Sequence, residues 1–204
     1  GGKFILPKIV QKKVNNVFSL IFMILIIAII ILILVLVRAF IFCNSKDMSK
    51  YDEKQVFLIS NKDWEDVVSL VPVTTWTSGS SVRKYPTLIF HEENETIFDA
   101  DSIIHFLQQY SPSKLIVVGT IPVELTNLLT TAPELGAGLI AGQIESITVN
   151  DYLSYWDAIK NIVYVEDDYE LALLASTYAS LINAPLIVEG TSLDSGFVFT
   201  GRKV

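Results

Sequence analysis

The sequence predicts an α/β fold, a parallel sheet with helices on both faces, standing behind a single N-terminal transmembrane helix. Three observations lead there. Val17 to Val37 reads VFSLIFMILIIAIIILILVLV, without a charge and with Ser19 as its sole hydroxyl. Beyond residue 55, apolar runs of four or five residues alternate with stretches of helical periodicity, the pattern of strands buried on both faces. One strand–helix–strand pattern then occurs twice, about 105 residues apart.

The apolar run explains an odd composition. The chain of 204 residues is 51% hydrophobic and only 18% charged, with a net charge of -7 and a mean hydropathy of +0.48. Ten Gly, seven Pro and one Cys exclude a collagen-like chain, a disordered one and a disulfide scaffold. About 21 residues at roughly 1.5 Å rise make a helix of about 31 Å, the hydrocarbon thickness of a bilayer, which excludes a simple cytosolic enzyme. A signal peptide has a shorter apolar core and small residues at its cleavage site. Arg38-Ala39-Phe40-Ile41-Phe42-Cys43 offers no such site, so the run is expected to stay as an anchor, with Val17, Phe18, Leu20, Ile21 and Val37 among its residues. Lys3, Lys8, Lys12 and Lys13 precede it with no acid between them. By the positive-inside rule the N-terminus is expected in the cytoplasm and the C-terminal domain outside the cell, as a single-pass protein of the cell membrane.

Charge divides the same way. Residues 1–55 hold 8 basic and 3 acidic groups, a net +5, whereas residues 56–204 hold 7 and 19, a net -12. An exterior part this acidic excludes nucleic acid as a partner, and meets an anionic polymer only through a divalent cation at its acidic surface; no other cofactor is expected. Cys43 has no partner for an internal disulfide. Asn94-Glu95-Thr96 forms a glycosylation sequon suited to an exported surface loop, with Asn94 as the acceptor.

In order, the sequence reads as a basic cytoplasmic tail (1–16), a transmembrane helix (17–42), a polar juxtamembrane linker (43–55), a first α/β unit (56–149) and an incomplete second unit (150–204). In the first unit Val56 to Ser60 is a strand. Asp63-Trp64-Glu65-Asp66 opens a helix whose acids suit its N-terminal dipole, and Pro72 should bend it or end it early. Thr77 to Ser81 is a flexible turn, and Pro86 to Phe90 a second strand. Asp99 to Tyr110 carries Ile103, Ile104, Phe106 and Leu107 at helical spacing. Lys114 to Val118 is a third strand, and a helix follows from Pro122 to Leu129, with proline near its start. Gly136, Gly138 and Gly142 mark a loop, and Asp151 to Ile159 a short helix. Ile162 to Val165, Asp168 to Ile182 and Pro185 to Val188 give a last strand, helix and strand.

The two units superpose in pattern. Each has an acid and an aromatic at the helix start, Asp63-Trp64 and Asp168-Tyr169, and a proline before the second strand, Pro86 and Pro185. The stretch Asp168 to Ile187, with its Ala-rich helix including Ala175 and Ala179, resembles the core of the cell wall-binding repeat 2 family. The resemblance extends over about residues 56–204. Thr120 stands where that family has a second glycine, and the second unit stops after its second strand. The resemblance implies a structural surface protein rather than an enzyme. Its exterior repeat domain would act in cell-wall or surface-layer binding, adhesion or assembly. The partners it implies are an envelope polymer and other copies or subunits of a surface assembly, beside the membrane lipid that the apolar run itself predicts.

Rival chemistry reads more weakly. Asp99-Ala100-Asp101 has the spacing of a metal-holding acid pair in a glycan-processing transferase, although helix capping and dipole compensation are the favoured reading. Gly136-x-Gly138-x-x-x-Gly142 does not follow a strand as a phosphate loop should. His91 and His105 lack neighbouring cysteines for zinc, and no Gly-x-Ser-x-Gly elbow is present. Tyr152, Tyr155 and Trp156 form an aromatic cluster of the kind that stacks on a sugar, but their helical spacing favours core packing. A single-span subunit of a larger membrane complex is the other alternative, though the run has few small residues for close helix packing.

Overall fold

The computed structural model describes residues 23–32, 44–93, 96–98 and 100–196. The chain divides into a unit of residues 1–43 and a unit of residues 44–204. In the first, residues 23–32 are helical and every one of their side chains is exposed. Among the described residues no helix is long and apolar enough to cross a membrane. The remainder of the Val17–Val37 run lies outside them.

The second unit is α/β with a parallel sheet. Strands β1 (Ser45–Lys46), β2 (Gln55–Ser60), β3 (Thr75–Ser78), β4 (Ser81–Lys84), β5 (Thr87–Glu93), β6 (Thr96–Phe98), β7 (Lys114–Val118), β8 (Ile144–Ile147), β9 (Trp156–Ala158), β10 (Val163–Val165) and β11 (Leu186–Val188) alternate with helices α1 (Trp64–Thr74), α2 (Ala100–Tyr110), α3 (Val123–Thr130), α4 (Tyr169–Leu181) and α5 (Ser192–Gly196). The main sheet has the order β6-β5-β2-β7-β8. β5, β2, β7 and β8 run parallel, and β6 returns antiparallel along β5. β10 and β11 form a separate parallel pair.

Side-chain alternation along the central strands builds two cores. Phe57 and Ile59 of β2 and Ile116 and Val118 of β7 point to one face, where they meet Leu70 and Val73 of α1. Val56, Leu58, Leu115 and Val117 point to the other and meet Ile103, Ile104 and Leu107 of α2 and Leu125 and Leu129 of α3. Strands apolar at consecutive positions are what a sheet covered on both faces requires. Ile187 of β11 packs into the α1-side core beside Tyr152, Trp156 and Leu193, so the second repeat rests on the first through one face of its own strands.

Several elements depart from the sequence reading. The stretch read as a linker is part of the folded unit from Asn44 onward: Asn44, Lys46, Tyr51 and Gln55 are all buried. β1 pairs antiparallel with β9, and Tyr51 Oη donates to the Val73 carbonyl at 2.7 Å. Pro72 does not end α1 early; two residues follow it. The missing proline N–H falls in the last turn, where the Thr74 hydroxyl lies 3.4 Å from the Leu70 carbonyl and 3.2 Å from that of Val71. Thr77 and Ser78 are strand rather than turn: β3 and β4 form a hairpin whose turn places Gly79 at φ +61°, as a tight two-residue connection demands.

Six strands, β1, β3, β4, β6, β8 and β9, have no counterpart among the sequence expectations. Ile144–Ile147 completes the main sheet as β8. The short helix expected over Asp151 to Ile159 is a 3-10 turn over Val149–Tyr155, followed directly by β9. Thr148 and Asp151 cap that turn reciprocally, and the Thr148 N–H and hydroxyl hold the Asp151 carboxyl below the usual carboxylate range. Beyond β11, where no closing helix was expected, the short α5 follows.

Candidate functional site

The repeat-motif residues occupy corresponding places in the two units. A proline before a strand cannot donate, but its carbonyl can start a ladder. The Pro86 carbonyl accepts from Phe57 N–H at 2.9 Å, and the Pro185 carbonyl from Val163 N–H at 3.0 Å. Phe57 and Val163 therefore hold equivalent positions in β2 and β10. Asp168 caps α4 through a hydrogen bond from Leu171 N–H at 2.8 Å, while Asp63 stands at the N-cap of α1 without such a bond. The two aromatics meet: Trp64 and Tyr169 pack edge to face, 5.3 Å between centroids. Val17, Phe18, Leu20, Ile21, Val37 and Asn94 lie outside the described residues.

Around that contact α1 and α4 lie against one another. Val68 of α1 shares a core with Ala172, Ala175 and Ala179 of α4 and with Val165, Leu186 and Val188 of the strand pair. Ser176 and Ser180 are buried on the same side. Small side chains allow the helix this close approach. The rest of α4 is unusual. Leu171, Leu174, Tyr178 and Leu181 are 46%, 72%, 56% and 62% exposed. Their 3-4-3 spacing sets them on a single stripe roughly opposite the buried alanines. A helix apolar on all sides is normally covered on all sides, and among the described residues nothing covers this one. Exposed apolar patches occur at protein and membrane contacts, at ligand grooves and at sites prone to aggregation.

A second constellation is built on Tyr155 and Trp156, aromatics the sequence places in the core, and on a buried lysine the sequence does not reveal. Lys46 is only 7% exposed. Its Nζ lies 3.1 Å from the Trp156 ring centroid and 5.0 Å from that of Trp76, and has no hydrogen-bond partner among the described residues. Burial pushes the amine well below the ordinary lysine pKa. Tyr51 extends the cluster, at 4.8 Å from Trp76, 5.1 Å from Tyr85 and 5.2 Å from Tyr155, and burial raises its hydroxyl pKa. Asn44 fixes the approach to this cluster. Its Nδ2 donates to the Asn161 carbonyl at 2.8 Å, and its Oδ1 accepts from the N–H groups of Lys160 and Asn161 at 2.7 and 2.9 Å.

The candidate chemical residues do not converge. At the C-terminal end of the sheet, Asn61 Nδ2 and His91 Nδ1 stand 2.6 Å apart. His105 and Asp101 are exposed on α2, and Asp99 lies outside the described residues. Asp66 is half-buried, and burial, aided by the charges of Asp63 and Glu65, pushes its carboxyl up to about 6. No group of three or more metal-ligating side chains forms among the described residues. Two of the loop's three glycines, Gly136 and Gly138, serve packing, while Gly142 has open space around it. A Cβ on Gly136 would run into the Leu128 carbonyl oxygen, and Gln108 Nε2 donates to the Pro133 and Gly136 carbonyls at 2.8 Å each. Comparison with protein-family models and with curated proteins finds no match for the chain.

Proposed function

We propose that the chain is a membrane-anchored cell-envelope protein whose exterior α/β repeat unit works by binding and assembly. The observation that carries this reading is the uncovered apolar face of α4 on a unit made of two like strand–helix–strand elements. The anchor is supported by the uncharged Val17–Val37 run and its basic N-terminal flank. The fold begins at Asn44, which sharpens the charge division. Residues 1–43 carry five bases and no acid, and residues 44–204 carry all 22 acids against 10 bases. That distribution suits a basic inner end and an acidic exterior.

Binding of an anionic wall polymer, as the cell wall-binding resemblance implies, requires divalent cations to bridge the net -12 of the folded unit. Assembly through an apolar face requires none. The test is topological. In cells carrying the full chain with Cys43→Ser and Ser80→Cys, a membrane-impermeant maleimide should label the protein without lysis, and the protein should stay in the membrane pellet after alkaline extraction. Labelling only after lysis, or release into the supernatant, would refute the reading.

A further inference from the structure

We propose that the α4 face binds the same face of a second copy, the two helices antiparallel across a two-fold axis. The inference rests on the assembly reading above and names its partner. Leu171, Leu174, Tyr178 and Leu181 are spaced 3-4-3, which reads the same in both directions. A two-fold axis beside residue 176 therefore sets Leu171 against Leu181 of the other copy and Leu174 against its Tyr178, as an isologous interface requires.

Charge selects the antiparallel sense. The N-terminal end of α4 carries Glu166, Asp167, Asp168 and Glu170, all exposed, and the Trp64 contact brings Lys62, Asp63 and Glu65 to the same end. At the C-terminal end the Thr77 hydroxyl donates to the Leu181 carbonyl at 2.5 Å, which seats the β3–β4 hairpin there. Val82 and Lys84 are the cross-strand partners of Thr77 and Thr75, so they share the face that Thr77 presents to α4. Val82 is 63% exposed, and Arg83 and Lys84 are exposed beside it. A parallel pair would bring two acidic ends together. An antiparallel pair sets each acidic end against the other copy's basic hairpin.

The area sets the strength. The four stripe side chains offer roughly 450 Å² per copy, about 900 Å² in all, and the hairpin face extends this toward the lower bound of specific interfaces at about 1,200 Å². A weak dimer follows, which confinement of both copies to one membrane would strengthen by raising their effective concentration.

The test uses the full chain, with Cys43→Ser, in neutral lipid vesicles. Differently tagged Leu174→Cys and Tyr178→Cys chains are mixed and oxidised. Mixed disulfides should exceed like-with-like disulfides at least five-fold, whereas a parallel pair would favour the like pairs. Lys84→Glu should cut the mixed product at least three-fold, and adding Glu170→Lys should restore it. Leu181→Glu should abolish it while leaving the melting temperature unchanged. Preference for like pairs, or cross-linking indifferent to Leu181→Glu, would overturn the proposal. If no mixed disulfide forms while Leu181→Glu removes amine cross-links between the chain and other envelope proteins in isolated membranes, the face docks elsewhere: the second copy is then wrong and the assembly reading stands.

Discussion

Replacing Lys46 by Met is expected to stabilise the folded unit, contrary to what removal of a buried cation–π contact suggests. The unfolded chain keeps this amine charged and hydrated. In the fold it is 7% exposed and without a hydrogen-bond partner among the described residues. Discharging an ordinary lysine at pH 7 costs about 4.5 kcal/mol, and burying the neutral amine unpaired adds about 1–3 kcal/mol. Remaining charged avoids the first cost and recovers about 2 kcal/mol from a desolvated indole face, but an unpaired ammonium then carries a desolvation penalty of several kcal/mol. The charged route is the cheaper and leaves a net penalty of about 2–4 kcal/mol, against about 5.5–7.5 kcal/mol for the discharged one.

Methionine keeps the unbranched stem against Trp76 and Trp156 and adds favourable sulfur–aromatic contact. Lys46→Met should therefore raise the melting temperature by about 5–12 °C, taking about 2–4 °C per kcal/mol for a unit of this size. The pH dependence carries a sign. Because burial lowers the folded-state pKa, the unfolded chain binds the extra proton, and wild-type stability rises as pH climbs toward the ordinary lysine value. The advantage of the variant should shrink between pH 7 and pH 9.5 in thermal unfolding followed by circular dichroism. A melting temperature for Lys46→Met below that of the wild type at pH 7 would refute the reasoning and show that the indole faces outweigh desolvation.

Asp66 titrates the other way: its folded pKa is raised to about 6, so the stability it contributes is present below about pH 4 and lost as pH rises through 6. Asp66→Asn should stabilise the protein at pH 7.5 by about 1 kcal/mol, a figure discounted because the group is half-exposed, and the gain should vanish at pH 4 in parallel thermal melts. Ala179→Leu should overpack the α4 contact with Val188 and Leu186 and cost about 1–3 kcal/mol in urea unfolding, with Ala175→Leu milder because that site lies nearer the rim. Asn44→Ala removes three side-chain hydrogen bonds and should cost about 1.5–3 kcal/mol. Limited trypsinolysis should then cleave at Lys46 and Lys50 faster than in the wild type.

Most of the parallel scaffold was legible because its signals are local. A run such as Lys114-Leu-Ile-Val-Val118 has too few polar residues for an exposed strand, and Asp168 announces a helix start through its own side chain. The small face of α4 was likewise visible, since Ala172, Ala175 and Ala179 have little to offer but close approach. What stayed hidden depends on distant partners. Ser45–Lys46 is polar and two residues long, and only β9, more than a hundred residues on, makes it a strand. Lys46 reads as a solvated charge until Trp76 and Trp156 close over it. Ile144–Ile147 alternates weakly, because its outward Glu145 is held by Lys114 at 2.5 Å on the neighbouring strand. The exposure of Leu174 and Tyr178 was equally beyond a periodicity argument, which can say that a helix has two apolar sides but not which one is covered.

Electrostatics and hydrophobicity make separable demands on this molecule. A surface of net -12 repels other polyanions and other copies alike, so any close partner must either bring cations or bury enough apolar area to overcome the repulsion. Bridging cations would leave an interaction sensitive to chelators and weakened by salt. The α4 stripe would leave one that persists at high salt, since screening removes the repulsion between acidic units while the apolar contact is untouched. Only the Lys84–Glu170 contribution at the ends of the paired helices should fade. The sign of the salt response therefore separates the two modes: added salt strengthens an association that runs mainly through α4 and weakens one that runs through the acids.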